Sequence, residues 1–223
     1  MRKWTLLIAL CTCLVFAGCP RQNSCYIDTA GMHFTFRVAE KDGQATVTAL
    51  FTVGNALGTE LALGDCGDDI TVNGVPLQER RGAFVWYEAV MDPAELYTFE
   101  FVREGEGPYT STVEAPPPVN ITAPAEGTSI SRAADFDITW DDNYELSPGI
   151  GLVIGGPCVD GILREVGDSG AYTIQAGELE QNGADTCDVN ISLTRITNGT
   201  MDPLLNGTIA ARTVDTTWIT TTP

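Results

Sequence analysis

Hydrophobic and polar residues alternate along most of this chain, and the clearest alternation starts at Met32. Over residues 32–40, Phe34, Phe36 and Val38 fall on one side and His33, Thr35 and Arg37 on the other. After Lys41-Asp42-Gly43, a second inward row follows at Ala45, Val47, Ala49, Phe51 and Val53. Period-two alternation around a glycine-containing turn predicts strand, turn, strand. Shorter strands are expected at 60–63, 70–72, 83–90, 96–103 and 109–113, with Asn73-Gly74 as a tight turn. No stretch holds a helical period for more than a turn or two.

The pattern resumes after Ala115-Pro116-Pro117-Pro118, a run that stays extended and cannot donate ladder hydrogen bonds. A strand is expected at 119–122. Phe136, Ile138 and Trp140 then point inward against Asp135, Asp137 and Thr139. Further strands are expected at 151–154, 161–164, 171–175, 187–196 and 207–219. On the fourth of these Cys187, Val189, Ile191 and Leu193 face the core, and on the last Trp218 is read as core or edge cover. The expected fold is therefore all-β, with two tandem β-sandwiches at 25–114 and 119–223 and a proline linker at 115–118. Each holds about 100 residues, enough for its own core.

Two stretches resemble known modules. Met91-Asp92-Pro93-Ala94-Glu95-Leu96-Tyr97-Thr98-Phe99 is similar to the tyrosine-corner segment of fibronectin type III domains, with Met91 in place of the usual Leu. That resemblance gives Tyr97 the role of bonding back to upstream backbone at a corner between strands. The stretch from Val119 to Arg132, followed by Asp135–Trp140, resembles the opening of bacterial immunoglobulin-like and fibronectin-like modules, with Trp140 as the core tryptophan.

The chain opens differently. Arg2 and Lys3 precede an apolar run from Trp4 to Phe16, too short for the roughly 20 residues of a membrane-spanning helix and suited to a signal peptide. Its end, Phe16-Ala17-Gly18-Cys19, resembles a bacterial lipobox, with Phe16 departing from the usual Leu. The resemblance implies a signal peptide at 1–18, a lipid on Cys19, and a tether at 19–24. It also implies a membrane partner through that anchor and a place in the bacterial cell envelope, by default the outer membrane. Beyond Cys19 the cysteines are Cys25, Cys66, Cys158 and Cys187, an even set that reads as disulfides in an exported chain. Cys25–Cys66 and Cys158–Cys187 keep each bridge within one sandwich and would contribute about 3–4 kcal/mol each in the chain-entropy model. No C-x-x-C or histidine ligand supports zinc.

Charge narrows the partners. The chain has 30 acidic and 12 basic residues; losing Arg2 and Lys3 with the leader takes the net charge from −18 to −20. Such a surface repels nucleic acid and anionic head groups, so no nucleic-acid partner is expected. Catalytic candidates are few. His33 is the single histidine and lies on a polar strand face, no GxSxG elbow exists, and the cysteines are committed to lipid or disulfides. Gly149–Gly156 misses the third glycine of a dinucleotide loop. The acidic groups Asp65/Asp68/Asp69 and Asp141/Asp142/Asn143/Glu145 lack the glycine of an EF-hand. No catalytic, cofactor or metal residue is therefore assigned. Four Asn-x-Ser/Thr sequons, at Asn120, Asn190, Asn198 and Asn206, are read as a product of Thr-rich composition.

The expected function is a non-catalytic envelope lipoprotein acting in binding, adhesion or as a structural spacer, with an unidentified protein or glycan ligand. The alternatives are an accessory subunit of an envelope complex, and a carbohydrate-binding module or carbohydrate-active enzyme in which Trp86 or Trp218 meets the sugar.

Overall fold

A computed structural model describes residues 22–64, 66–141 and 149–223; Cys19 and the whole export segment lie outside them. The first part of the chain forms ten strands. They are β1 (Gln22–Asn23), β2 (Met32–Lys41), β3 (Gln44–Val53), β4 (Leu61–Ala62), β5 (Asp69–Val72), β6 (Val75–Pro76), β7 (Gln78–Arg81), β8 (Val85–Met91), β9 (Leu96–Arg103) and β10 (Glu106–Glu114). The sheet β2-β3-β8-β7 packs on the sheet β10-β9-β5-β6, while β1 and β4 pair beside them. With β2, β3, β8 and β7 as strands A, B, E and D, and β5, β9 and β10 as C, F and G, this is the immunoglobulin arrangement. Tight turns close it where expected. Asp42 and Gly43 have φ of 52° and 74°, and Asn73 and Gly74 have 48° and 78°, the positive pair that a two-residue hairpin turn of the primed type needs.

Alternation supplies the core between these sheets. Phe34, Phe36 and Phe51 from one sheet meet Phe99 and Phe101 from the other, all buried. Phe36 stacks on Phe99 with centroids 4.6 Å apart, and Phe34 meets Phe101 edge-on at 5.1 Å. Each such pair adds about 0.5–1.5 kcal/mol beyond the area it buries.

The second part forms β11 (Ile121–Ala123), β12 (Ser129–Ser131), β13 (Phe136–Trp140), β14 (Ile150–Gly156), β15 (Val159–Val166), β16 (Ala171–Ile174), β17 (Cys187–Asn198) and β18 (Asn206–Thr222). The sheet β11-β13-β16 faces β15-β14-β17-β18, with β12 parallel to the end of β18. Its own core holds Ile138, Trp140, Leu152, Ile154, Val189, Ile191 and Leu193. Cys25–Cys66 and Cys158–Cys187 are both disulfides, one in each half.

The expected last strand, 207–219, is longer and works in both halves. Residues 206–213 of β18 pair in parallel with His33–Glu40 of β2, so the two halves share one nine-stranded sheet. Leu205, Ile209 and Ala211 belong to the first core, not the second. A division at 115–118 therefore describes the chain's order but not its packing, because the tip of the β17–β18 hairpin returns to complete the first sandwich. The inward positions of β18 are the odd ones throughout, from Ile209 to Thr221, so nothing in the alternation marks the passage from one core to the other.

The tip is fitted closely. A Cβ on Gly207 would lie 2.0 Å from the Phe34 carbonyl oxygen, and one on Gly199 would lie 2.2 Å from that of Thr112. Thr200 and Thr112 exchange backbone hydrogen bonds at 2.8 and 2.9 Å, and the Ser111 hydroxyl accepts from the Asp202 N–H at 2.9 Å. The hairpin thus touches both sheets of the first sandwich, closing its open side. Two of the four sequons, Asn198-Gly199-Thr200 and Asn206-Gly207-Thr208, bracket this tip, where their glycines permit the approach.

The linker is held by the same hairpin. Arg195 on β17 is buried, and its Nε and Nη2 bond the two oxygens of Asp168 at 2.7 and 3.0 Å. It also donates to the carbonyl of Asp141 at 3.0 Å and to that of Pro118. Thr213 donates to the Pro117 carbonyl at 3.0 Å, and Asp215 accepts from the Ile121 N–H at 2.7 Å.

Urea unfolding of the intact protein is expected to be one transition, coincident by tryptophan fluorescence and circular dichroism. Gly207→Ala should move its midpoint down, by about 1–3 kcal/mol for the overpacked contact. Two separated transitions would show that the shared strand does not couple the halves.

Candidate functional site

The nine-stranded sheet has one covered face and one open face, and parity decides which residues lie on the open one. On β18 these are the even positions, including Thr208, Ala210, Arg212, Val214, Thr216 and Trp218; on β2 the odd ones, His33, Thr35, Arg37, Ala39 and Lys41. On β3 they are Gln44, Thr46, Thr48, Leu50 and Thr52. None of these is Asp or Glu, in a chain with 30 of them. Three are cationic: Arg37, Lys41 and Arg212. On the flanking strands the outward carboxylates are Asp188 of β17 and Glu88 of β8.

Register sets the cations together. Ala39 pairs with Arg212 and Arg37 with Ala210, so the two arginines sit one diagonal step apart on adjoining strands. Among the described residues neither forms an ion pair with a carboxylate. Glu88, by contrast, is engaged: it accepts from Trp86 Nε1 at 3.2 Å and from Arg80 Nε at 3.4 Å.

Beside Arg37 the face dips into a groove of about 190 Å³ lined by Thr35, Arg37, Thr48, Leu50, Phe84 and Trp86. Phe84 is well exposed, at 63 %. The Trp86 indole is held by Glu88 at its N–H, with Gly82, where an added Cβ would lie 3.4 Å from the ring, leaving the ring room on that side. A ring held in this way loses little freedom when a ligand stacks on it. Trp218 is half exposed on the same face, ten residues further along β18 than Thr208, which pairs with Thr35 of the groove.

A second cleft, about 270 Å³, opens at the join of the halves between Glu40, Lys41, Pro93, Pro118 and Asp215. Two of its carboxylates are engaged within the fold, while Asp42 stands at the turn on its rim. Glu40 accepts from the Tyr97 hydroxyl at 2.5 Å, and Asp215 accepts from the backbone N–H of Ile121 and of Thr216.

The residues singled out in the sequence take these places. Tyr97 is buried at the start of β9, where its hydroxyl accepts from the Ala94 N–H at 3.0 Å and donates to Glu40. Burial, and then the Glu40 carboxylate, push its phenol above the ordinary tyrosine range. Tyr87, likewise desolvated, is pushed up to about 12. Trp140 is buried and donates its indole N–H to Asp168 at 2.8 Å. His33 lies on the open face, and its Nε2 is screened from solvent without a hydrogen-bond partner among the described residues. Asp68 is locked by Arg103, whose Nε and Nη2 each reach one of its oxygens at 2.8 Å; Asp69 caps the N–H of Ile70. Asp141 is held by Asn120, while Asp65, Asp142, Asn143 and Glu145 lie outside the described residues. Among the described residues no group of three or more histidines, cysteines or carboxylates is disposed to hold a metal.

Comparison with known proteins adds little to this geometry. No family model and no curated protein matches the chain. Solved structures similar to it include fibronectin(III)-like modules of Clostridium thermocellum CbhA, at 14% identity and a TM-score of 0.26, covering 85% of this chain and 94% of that one. The tandem Ig repeats of Dlar share 12% identity with a TM-score of 0.27, covering 82% and 98%. A chimeric titin Z1Z2 shares 12% with a TM-score of 0.24, covering 88% and 100%. Superpositions this loose carry no argument about the face or its ligand.

Tyr97→Phe should cost about 1–3 kcal/mol by orphaning the Ala94 N–H. A phenol whose pKa is raised on folding keeps its proton where the unfolded chain loses it. Its contribution is therefore complete below about pH 10 and declines above. Urea midpoints from pH 7 to 11 should fall on the alkaline side in the wild type, and less steeply in Tyr97→Phe.

Proposed function

We propose that this chain is a non-catalytic binding module of the bacterial cell envelope, anchored through a lipid on Cys19, and that its ligand lies on the open face of the nine-stranded sheet. One observation carries the reading: three adjoining central strands, shared between the two halves, present no carboxylate outward although the chain as a whole is strongly acidic. Carboxylates elsewhere serve solubility. Their exclusion from one broad face keeps that face free to meet a partner that acids would repel. The spacer role fits beside it, since the hairpin that builds the face also fixes the angle between the halves. The tether of about five residues between Cys19 and Cys25 would hold the first sandwich near the membrane.

The test uses the full chain carrying Cys19→Ala, so that no lipid carries it down, and isolated envelope material in a sedimentation assay. With the wild-type face this chain should co-sediment, and placing acids on the face with Thr208→Glu and Thr48→Glu should abolish this without moving the melting temperature. A chain with the wild-type face that stays in solution, or one with both acids that sediments equally, would overturn the binding face. Metabolic labelling with an alkyne fatty acid checks the anchor: Cys19→Ala should lose both label and membrane association.

A further inference from the structure

We propose that the groove between Phe84 and Trp86, together with Arg37 and Arg212, binds an anionic polysaccharide, with a uronic acid ring seated in the groove. This rests on the binding-face reading above and names the ligand class.

The groove has two kinds of wall, and each selects. Phe84 and the indole of Trp86 offer aromatic faces, whose negative quadrupole attracts the polarised C–H bonds on the flat side of a sugar ring. Arg37 lies at the groove's edge and Arg212 one diagonal step beyond, both without a carboxylate partner among the described residues. A guanidinium presents paired donors that match a carboxylate. An aromatic wall alone would take a neutral sugar, and arginines alone would take any anion. A ring that carries both an apolar side and a carboxylate uses the whole site.

Size and surroundings favour a polymer. At about 190 Å³ the groove is smaller than the roughly 300–1,000 Å³ of pockets that enclose a drug-sized ligand, so it holds one ring and leaves its neighbours on the open face. There threonine is the commonest outward residue of β3 and β18, and the hydroxyls of Thr46, Thr48, Thr208 and Thr216 can both donate and accept, as a glycan requires. An extended peptide finds less, because the backbone groups of these central strands are already paired within the sheet. The chain's overall negative charge does not forbid an anion at this place. At physiological salt, charges further than about 8 Å are largely screened; the carboxylate beside the groove, Glu88 at the Trp86 N–H, is itself met by Arg80 at 3.4 Å, and the charges on the central strands are Arg37, Lys41 and Arg212.

The experiment is affinity electrophoresis of the detergent-purified full chain in gels containing polygalacturonate, dextran or poly-L-glutamate. The expected result is retardation by polygalacturonate alone. The affinity should fall at least tenfold in Arg37→Ala/Arg212→Ala and in Trp86→Ala, with melting temperatures of the arginine variants unchanged because both side chains are exposed. Retardation by dextran as strong as by polygalacturonate would make the site one for neutral sugar and overturn the proposal. Equal retardation by poly-L-glutamate would make it a site for acidic peptide and overturn it too, as would undiminished binding by the arginine pair variant. Should the chain with the wild-type face ignore polygalacturonate yet still sediment with envelope material, the ligand class fails while the binding face stands. Failure in both assays removes both.

Discussion

Parallel pairing between β18 and β2 is the constraint on which the rest of this architecture depends. It gives the first sandwich a strand it does not encode locally, and it brings Leu205, Ile209 and Ala211 into that sandwich's core. It also makes one sheet out of two, and so creates the broad open face. Without it β2 would be a bare edge, a row of unpaired donors and acceptors open to other chains. The hairpin supplies the cover from within the molecule, and the glycines at 199 and 207 are what let it seat.

Beside that pairing a buried ion pair ties down the linker. Arg195 satisfies the carbonyls of the proline linker and of Asp141 while its charge is met by Asp168, which in turn holds the indole of Trp140. Removing one partner from a buried pair of this kind costs about 3–5 kcal/mol, because the other charge is stranded. Arg103 and Asp68 do the same at the opposite end of the first sandwich, tying the 3-10 turn at Ser24–Tyr26 to β9. Two acids that could be read as ligands for a cation have structural duties instead: Asp68 meets Arg103, and the Asp141 carboxylate accepts from Asn120.

Much of the fold is legible in the sequence because each half has a single covered face. The rows Phe34/Phe36/Val38 and Val189/Ile191/Leu193 announce their strands, Asp42-Gly43 and Asn73-Gly74 announce their turns, and the cysteine spacing pairs the bridges within each half. What alternation does not carry is partnership. Since β18 keeps the same parity from residue 209 to 221, its first half reads as belonging to the second core. Strand β7, Gln-Glu-Arg-Arg, has no apolar row at all, because it is an exposed edge held by pairing with β8. The open face is missed for a related reason. Arg37 and Arg212 stand far apart in the chain, and only the register between their strands makes them neighbours. Tallying charge by parity, strand by strand, would nonetheless have shown that β2, β3 and β18 turn no acid outward.

The direction of β18 also has a mechanical meaning. A pull between residue 22 and the far half of the molecule would draw β2 toward its beginning and β18 toward its end, along the length of their shared ladder. Hydrogen bonds loaded in this way bear the force together and yield together, whereas a ladder opened from one end yields a rung at a time. The proline linker, bridged by that ladder, would be bypassed. Tension in this direction would therefore pass from one half to the other through the seam, which gives way only when it shears as a whole.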